Sequence, residues 1–330
     1  MTDYTRALEL LLPAVRQGAQ LALQVGRDLD DSLVGDKSET RGEDPVTVGD
    51  WGCQAIICRA LAEAFPDDVI VGEEDLEVLG AAENAGTLET VARYVGHHVP
   101  GASATQVADW IARGAQREAS GRYWTLDPID GTKGFVRGDH FAVALALVVD
   151  GVVEVSLLGC PRLSGATDRA GGRGDGVILH AIRGQGAFCT PLNGAGTTPF
   201  SVSDISDVSR GQYCESVEAW SDAKTHARIA EKLGMAAPPV KLDSQVKYAS
   251  VARGDVEICF RFQTRADYKE KIWDHAAGYG CVTEAGGRVT DFAGRDLDFS
   301  TPPYLETTAR GILITNGKVH DRVLAAINDL

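Results

Sequence analysis

Apolar positions recur every three or four residues at the start of the chain, where Tyr4, Leu8, Leu11, Val15, Ala19 and Ala22 outline one face of a helix. Pro13 falls inside that run, and its missing N–H predicts a kink or a restart there. A second helical stretch fits residues 51–65, with Asp50 as its N-cap and Pro66 as its stop. The period then changes. Residues 68–72 read as a short buried strand, and residues 76–120, rich in Ala, Gly and Glu, as loops with one or two helices. Residues 124–126, 141–149, 152–158 and 177–182 are β-type runs divided by turns containing Gly or Asp, which predicts an antiparallel meander. Residues 170–176 are expected to form a mobile loop, and the Arg173-Gly174-Asp175 triplet within it has ordinary turn composition.

Around residues 192–198 the composition shifts to Gly, Thr and Pro, as in a linker between an N-terminal domain, 1–198, and a C-terminal domain, 199–330. Beyond it the elements alternate. A strand near Tyr213 is followed by a helix at 222–233, a strand at 240–242, a helix near 246–252, a strand at 256–262, a helix at 275–285 and a strand at 312–315. This is the α/β pattern.

Composition narrows the classes of function. The 330 residues are 44% hydrophobic and 24% charged, a globular balance. Against 32 Lys and Arg stand 47 Asp and Glu, a formal charge of -15 with no basic block, which argues against nucleic acid as a partner. The longest apolar run, residues 141–149, is far shorter than the ~20 residues a membrane helix needs, so no membrane association is expected. The first six residues carry no basic segment leading into an apolar stretch, and the seven cysteines form no CxxC pair. A cytoplasmic, reducing compartment is the expectation.

The stretch richest in chemistry is Trp124-Thr-Leu-Asp-Pro-Ile-Asp-Gly-Thr-Lys-Gly-Phe135. Asp127 and Asp130 stand three apart around Pro128, whose fixed φ allows both carboxylates and the Ile129 carbonyl to converge on one point. Gly131 and Thr132 then offer backbone N–H groups at a helix start, a natural seat for phosphate. Acids facing a phosphate require a cation, and Mg²⁺ suits oxygen ligands. Alternatively, the segment is a tight turn whose two Asp residues cap backbone amides. Glu73, Glu74 and Asp75 follow the strand at 68–72, Asp50 ends the stretch that begins Asp44-Pro45, and Asp274 stands at a further helix start. Taken singly, the first three read as a solvated acidic turn, and Asp50 and Asp274 as helix caps.

Together, Gly72-Glu73-Glu74, Asp127-Pro-Ile-Asp130-Gly-Thr132 and Trp273-Asp274-x-x-Ala277-Gly resemble the signature of the inositol monophosphatase superfamily of Mg²⁺-dependent, lithium-sensitive phosphatases, over about residues 4 to 317. Three further features are worded like its 3'(2'),5'-bisphosphate nucleotidase branch: Pro45-Val-Thr-x-Gly-Asp50, Leu242-Asp-Ser244-Gln-Val-Lys247-Tyr and Lys271-Ile-Trp-Asp-His275. The long interval from Glu73 to Asp127 agrees with that branch. One part departs: where the branch often carries a His-Ser-Ser-His-like segment, this chain has Val217-Glu218-Ala-Trp220 continuing to His226, which leaves a base contact by Trp220 or His226 undecided.

The resemblance implies a layered α-β-α-β-α sugar-phosphatase fold, of α+β and α/β character, with an antiparallel N-terminal sheet, an α/β C-terminal part and the site at their junction. It also implies that Glu73, Asp127, Asp130 and Asp274, with the Ile129 carbonyl, hold two or three Mg²⁺ ions. By the same resemblance Glu74 is expected to stand behind them, Asp50 and the Thr132 hydroxyl to orient the attacking water without a covalent phosphoenzyme, Gly131 and Thr132 to receive the phosphoryl group, and Ser244, Lys247 and Arg261 to contact the nucleotide. His140 and His275 are expected to be structural or to stand behind the ligands, since Mg²⁺ seldom recruits imidazole. The implied reaction is hydrolysis of the 3'-phosphate of 3'-phosphoadenosine 5'-phosphate to AMP and phosphate, with the 5'-phosphosulfate as a further substrate. The partner is thus a small-molecule phosphate ester, and the chain a monomer or homodimer. The alternatives are an inositol or sugar phosphate phosphatase of the same superfamily and a non-catalytic metal-binding module.

Overall fold

The computed structural model describes residues 4–29, 34–35, 46–76, 79, 85–217, 223–263, 268–305 and 310–330. The sequence features at Asp44, Pro45, Glu218, Trp220 and Asp222 lie outside them. Helix α1 (Thr5–Asp28) runs unbroken through Pro13, without the expected restart. Pro13 and Glu9, whose carbonyl loses its helical partner, are both exposed, so water can take up the released bond. A small antiparallel pair, β1 (Val34–Gly35) and β2 (Val46–Thr47), leads into α2 (Val48–Ala64). The cap of α2 is Thr47, not Asp50. Asp50 is the third helical residue and closes a capping box with Thr47.

Then come β3 (Val69–Gly72), α3 (Ala85–Gly96), α4 (Ala104–Arg113), β4 (Arg122–Asp130), the single turn α5 (Thr132–Val136), β5 (Ala142–Val149), β6 (Val152–Cys160), β7 (Val177–Ile182), β8 (Ala187–Pro191) and β9 (Thr198–Phe200). Strands β3 to β9 form one sheet in sequence order, antiparallel except for the parallel pair β3 and β4. Of residues 192–198, expected as a linker, 192–197 are the turn of the β8–β9 hairpin and Thr198 opens β9, so the chain leaves this sheet only after Phe200. Residues 170–176 are tethered, not free. The Asp168 carboxylate accepts from Ala170 N and Gly172 N at 2.8 Å each, His140 bonds the Gly171 carbonyl, and Arg173 pairs with Asp139.

The second half supplies β10 (Tyr213–Glu215), α6 (Ala223–Lys232), β11 (Val240–Lys241), α7 (Val246–Ala252), β12 (Ile258–Phe262), α8 (Ala276–Glu284), β13 (Arg288–Asp291), β14 (Gly311–Thr315) and α9 (His320–Asn328). Its five strands are ordered β11-β10-β12-β14-β13, parallel around β10 and antiparallel around β14. The alternation predicted for this half omitted β13 and α9.

Strand periodicity sets the layers. Along β5, Val143, Leu145 and Leu147 pack with Leu11, Val15 and Ile57 of the helices α1 and α2. Ala142, Ala144 and Ala146 face the other way, onto a core shared with Tyr248 of α7, Cys281 of α8 and Cys259 and Ile314 of the second sheet. Beyond that sheet Leu313 and Phe260 meet Ile229 of α6 and Val323 of α9. Five layers, helix, sheet, helix, sheet and helix, follow. The Ala-lined face lets α8 lie close, and Gly280 is the closest point: a Cβ there would sit 2.0 Å from Ser156 Oγ. Gly280→Ala is expected to lower stability in a urea melt by about 1–3 kcal/mol, with part of the loss recovered in a Ser156→Ala background.

Candidate active site

The acids are assembled by local backbone features before any long-range contact. Across the β4–β5 ladder Asp127 pairs with Ala144 and Asp130 with Ala142, so three steps on β4 oppose two on β5. This bulge at Pro128 and Ile129 brings two residues that would point to opposite faces of a regular strand onto the same face. It also accommodates Pro128, which has no N–H to offer the ladder. Gly131 follows at φ +90°, and a Cβ there would meet Ser244 Cβ at 2.9 Å. Ser244 is itself left-handed, at φ +61°. The two halves of the chain meet at these two turns.

Glu73 stands just past β3, its N–H bonded to the Leu126 carbonyl at 3.0 Å, which places it beside Asp127. The next residue, Glu74, is buried, and its backbone is held by the Gln54 side chain through Glu74 N to Oε1 at 3.1 Å and Nε2 to Glu74 O at 2.7 Å. Asp274 closes a single 3-10 turn, Ile272–Asp274, ahead of α8, whose N-cap is His275.

Burial, then the charges of Glu73, Asp130 and Asp274, push the Asp127 carboxyl well above the ordinary range. Burial also raises Asp130, against the pull of the Gln245 N–H, which donates to Asp130 Oδ2 at 2.6 Å, and of the Arg261 and Lys247 charges. Asp274 is pushed up to about 6 by burial, with Arg261 opposing and Asp130 adding to the rise. Asp127 Oδ1 is buried with no hydrogen-bond partner among the described residues. A buried carboxylate oxygen without a donor, facing other acids, fits a hard cation.

Asp50 is fully buried. Thr47 donates to its Oδ2 twice, from N at 2.8 Å and from Oγ1 at 2.6 Å, which leaves Oδ1 facing the Thr132 hydroxyl at 3.4 Å. That hydroxyl also lies 3.1 Å from the Ile129 carbonyl. Lys247 is 9% exposed; its ammonium donates to Ser216 Oγ at 2.9 Å and forms no ion pair among the described residues.

Arg261 is engaged from within the protein. Its Nε and Nη2 donate to Glu270 Oε2 at 3.0 and 2.7 Å, and Nη2 to Asp274 Oδ2 at 3.2 Å. Glu270 also meets His275 Nε2 at 3.1 Å, and Tyr248 OH meets His275 Nδ1 at 2.7 Å. Burial disfavours the Glu270 charge, but Arg261 and His275 more than offset that and hold its carboxyl well below the usual range. Glu270, Asp274 and His275 bring ligand atoms within 4.8 Å of one another, but the guanidinium already supplies the cation between Glu270 and Asp274. His226 is buried against Phe260, with Nδ1 2.8 Å from Glu215 Oε2.

Thus Glu73, Asp127, Asp130 and Asp274 are brought into mutual electrostatic contact, Thr132 and Asp50 are paired, and Gly131 touches Ser244. Sequence reasoning missed Thr47, Gln54, Ser216, Gln245 and Glu270. Thr47 was within reach, because an acid three residues after a Thr is a capping signal. Gln245 lay inside the stretch Leu242-Asp-Ser244-Gln-Val-Lys247 but carried no role of its own there, and Gln54, Ser216 and Glu270 had no signal, since a lone Gln, Ser or Glu says nothing of its distant neighbours.

The sequence model of the inositol monophosphatase family matches residues 6–330, and the chain belongs to that family, whose enzymes are metal-dependent. Among its relatives is a 3'(2'),5'-bisphosphate nucleotidase of Emericella nidulans, 38% identical over 342 residues that cover 94% of this chain and 96% of the relative. Another, of the same description, is from Oryza sativa, 40% identical with 99% and 94% covered. An inositol monophosphatase structure from Thermotoga maritima shares the fold, with a TM-score of 0.67, 23% identity and 98% of each chain covered. No described helix is long and apolar enough to cross a membrane.

Crowded carboxylates give a stability prediction. A carboxyl whose pKa is raised by folding holds its proton longer in the folded chain, so its contribution favours folding at low pH and is lost as pH rises through the folded value. For Asp274 that loss runs from the ordinary 3.8 to about 6. Without divalent ions, the protein is therefore expected to be less stable at pH 7.5 than at pH 5 through this cluster. Asp127→Asn, which removes one crowded charge, is expected to raise the melting temperature at pH 7.5 while eliminating activity. A melting temperature lowered by that substitution counts against the crowding argument.

Proposed function

We propose that this protein is a divalent-metal-dependent 3'(2'),5'-bisphosphate nucleotidase that removes the 3'-phosphate of 3'-phosphoadenosine 5'-phosphate, giving AMP and phosphate. The observation that carries the reading is the buried Asp127 Oδ1, without a hydrogen-bond partner among the described residues, amid acids from both halves of the chain. Glu73, Asp127, Asp130 and Asp274, with the Ile129 carbonyl, are the residues that would hold Mg²⁺. Two such ions would supply Lewis-acid stabilisation of the transferring phosphoryl group and a nucleophilic water at neutral pH.

The chain's own groups do the rest. Thr47 donates twice to Asp50 Oδ2, and Asp50 Oδ1 faces the Thr132 hydroxyl. A hydroxyl that donates to Asp50 Oδ1 keeps its lone pairs for the O–H of a water; as that water attacks, its proton would pass to Thr132 Oγ1 while the hydroxyl's own proton passes to Asp50. Backbone N–H groups of Gly131 and Thr132 would meet the phosphoryl oxygens as charge develops on them. Lys247 supports a second anionic group on the substrate. Its side chain is largely buried, its ammonium meets the neutral Ser216 hydroxyl and no carboxylate among the described residues, and a phosphate oxygen would satisfy it better. Arg261, held by Glu270, adds positive charge next to Asp274 and, through Asp274, next to the phosphate.

Three measurements test the reading. In a panel of 3'-phosphoadenosine 5'-phosphate, its 5'-phosphosulfate, inositol 1-phosphate and fructose 1,6-bisphosphate, the first is expected to have the highest kcat/KM. An inositol 1-phosphate optimum overturns it. Asp130→Asn is expected to abolish Mg²⁺-dependent phosphate release in a folded protein; unchanged release removes the metal-site assignment. Lys247→Met is expected to raise KM for the bisphosphate by about tenfold or more, with little change for a monophosphate.

A further inference from the structure

We propose that Gln245 is a positioning residue that fixes the spacing of two metal-holding carboxylates across the seam, Asp130 through its backbone and the turn of Asp274 through its side chain. The proposal rests on the reading of the site given above. Gln245 is 1% exposed. Its backbone N–H donates to Asp130 Oδ2 at 2.6 Å, its Nε2 donates to the Trp273 carbonyl at 2.9 Å, and its Oε1 accepts from Gly278 N at 2.9 Å. Asp130 ends a strand of the first sheet, and Trp273 and Gly278 bracket Asp274 in the second half.

The side-chain bonds stand in for a missing cap. The N-cap of α8, His275, makes no side-chain bond to the helix, so the Gly278 N–H in its first turn depends on a partner from elsewhere. The amide end group donates from Nε2 to the carbonyl and accepts at Oε1 from the N–H at once, two bonds that an apolar side chain of the same length cannot make. The preceding residue, Ser244 at φ +61°, turns the chain so that the Gln245 N–H points at Asp130, and Gly131 packs against it. Asp130 and Asp274 therefore hang from the same buried residue. Their separation cannot change without breaking one of its bonds.

The test uses Mn²⁺ as the probe, titrated into the full-length protein without substrate, with free Mn²⁺ read by electron paramagnetic resonance. Gln245→Met, which keeps the volume and the backbone N–H but not the amide, is expected to weaken Mn²⁺ binding by about 10–100-fold, the usual cost of losing a partner behind a metal ligand. Excess Mg²⁺ should restore its activity, with KM for the nucleotide at saturating metal unchanged. Should Gln245→Met fail to fold, Gln245→Asn, one methylene shorter, is read in the same way. Asn316→Leu is the control. It removes a buried amide that bonds the Ser203 and Ile205 carbonyls, and should lower the melting temperature without touching Mn²⁺ affinity. Gln245 variants that bind Mn²⁺ as the unaltered protein does overturn the proposal, as does an Asn316→Leu that weakens binding equally. An unaltered protein that takes up no Mn²⁺ fails differently, because it removes the metal site itself.

Discussion

Gathering Glu73, Asp127, Asp130 and Asp274 into one seam costs folding free energy, because each carboxylate gives up water and gains like-charged neighbours. The rest of the structure is arranged to bear that cost. Two sheets and five layers hold the acids in place, and the helices packed on the first sheet leave its Asp127 and Asp130 end to meet the second half. A fold without such a large apolar core could not keep these charges together, and a site without them would have no grip on a divalent ion.

Part of the compensation is internal. Arg261 and Glu270 form a fixed pair beside Asp274, with His275 and Tyr248 continuing the bonds into the core. An arginine in a strand next to acids would be costly with its charge unmet, and Glu270 meets it. Residual positive charge then reaches Asp274 and Asp130. The same logic explains Asp50. Its capping box with Thr47 uses one carboxylate oxygen for helix stability and leaves the other for Thr132. A helix cap and a contact to the Thr132 turn thus share one side chain.

Close approach is the second requirement. The Ala face of β5, together with Gly280, lets α8 lie on the first sheet and carry Asp274 toward Asp127. Gly131 does the same for Ser244, where any larger residue would separate the two turns. Small residues at these points act through what they leave out. They make the seam narrow enough for acids of both halves to come together.

Much of this was legible in the order of residues along the chain. Strand and helix periods marked most elements, because the alternation of buried and exposed positions is written locally. The wording around Asp127, Asp130 and Asp274 pointed to the family, because a bulge at Pro128 and a left-handed Gly131 need particular residue types in fixed order. The placement of Pro13 in an unbroken helix and of residues 192–197 in a hairpin turn depended on which face met solvent or a neighbouring strand, and no local pattern carries that. Tertiary structure alone decided that Arg261 is held by Glu270, that Lys247 meets Ser216 and that Gln245 joins Asp130 to the Asp274 turn. These are contacts between residues distant in sequence or turned together by a loop, and their energies come from burial and geometry that exist only once the two sheets have packed.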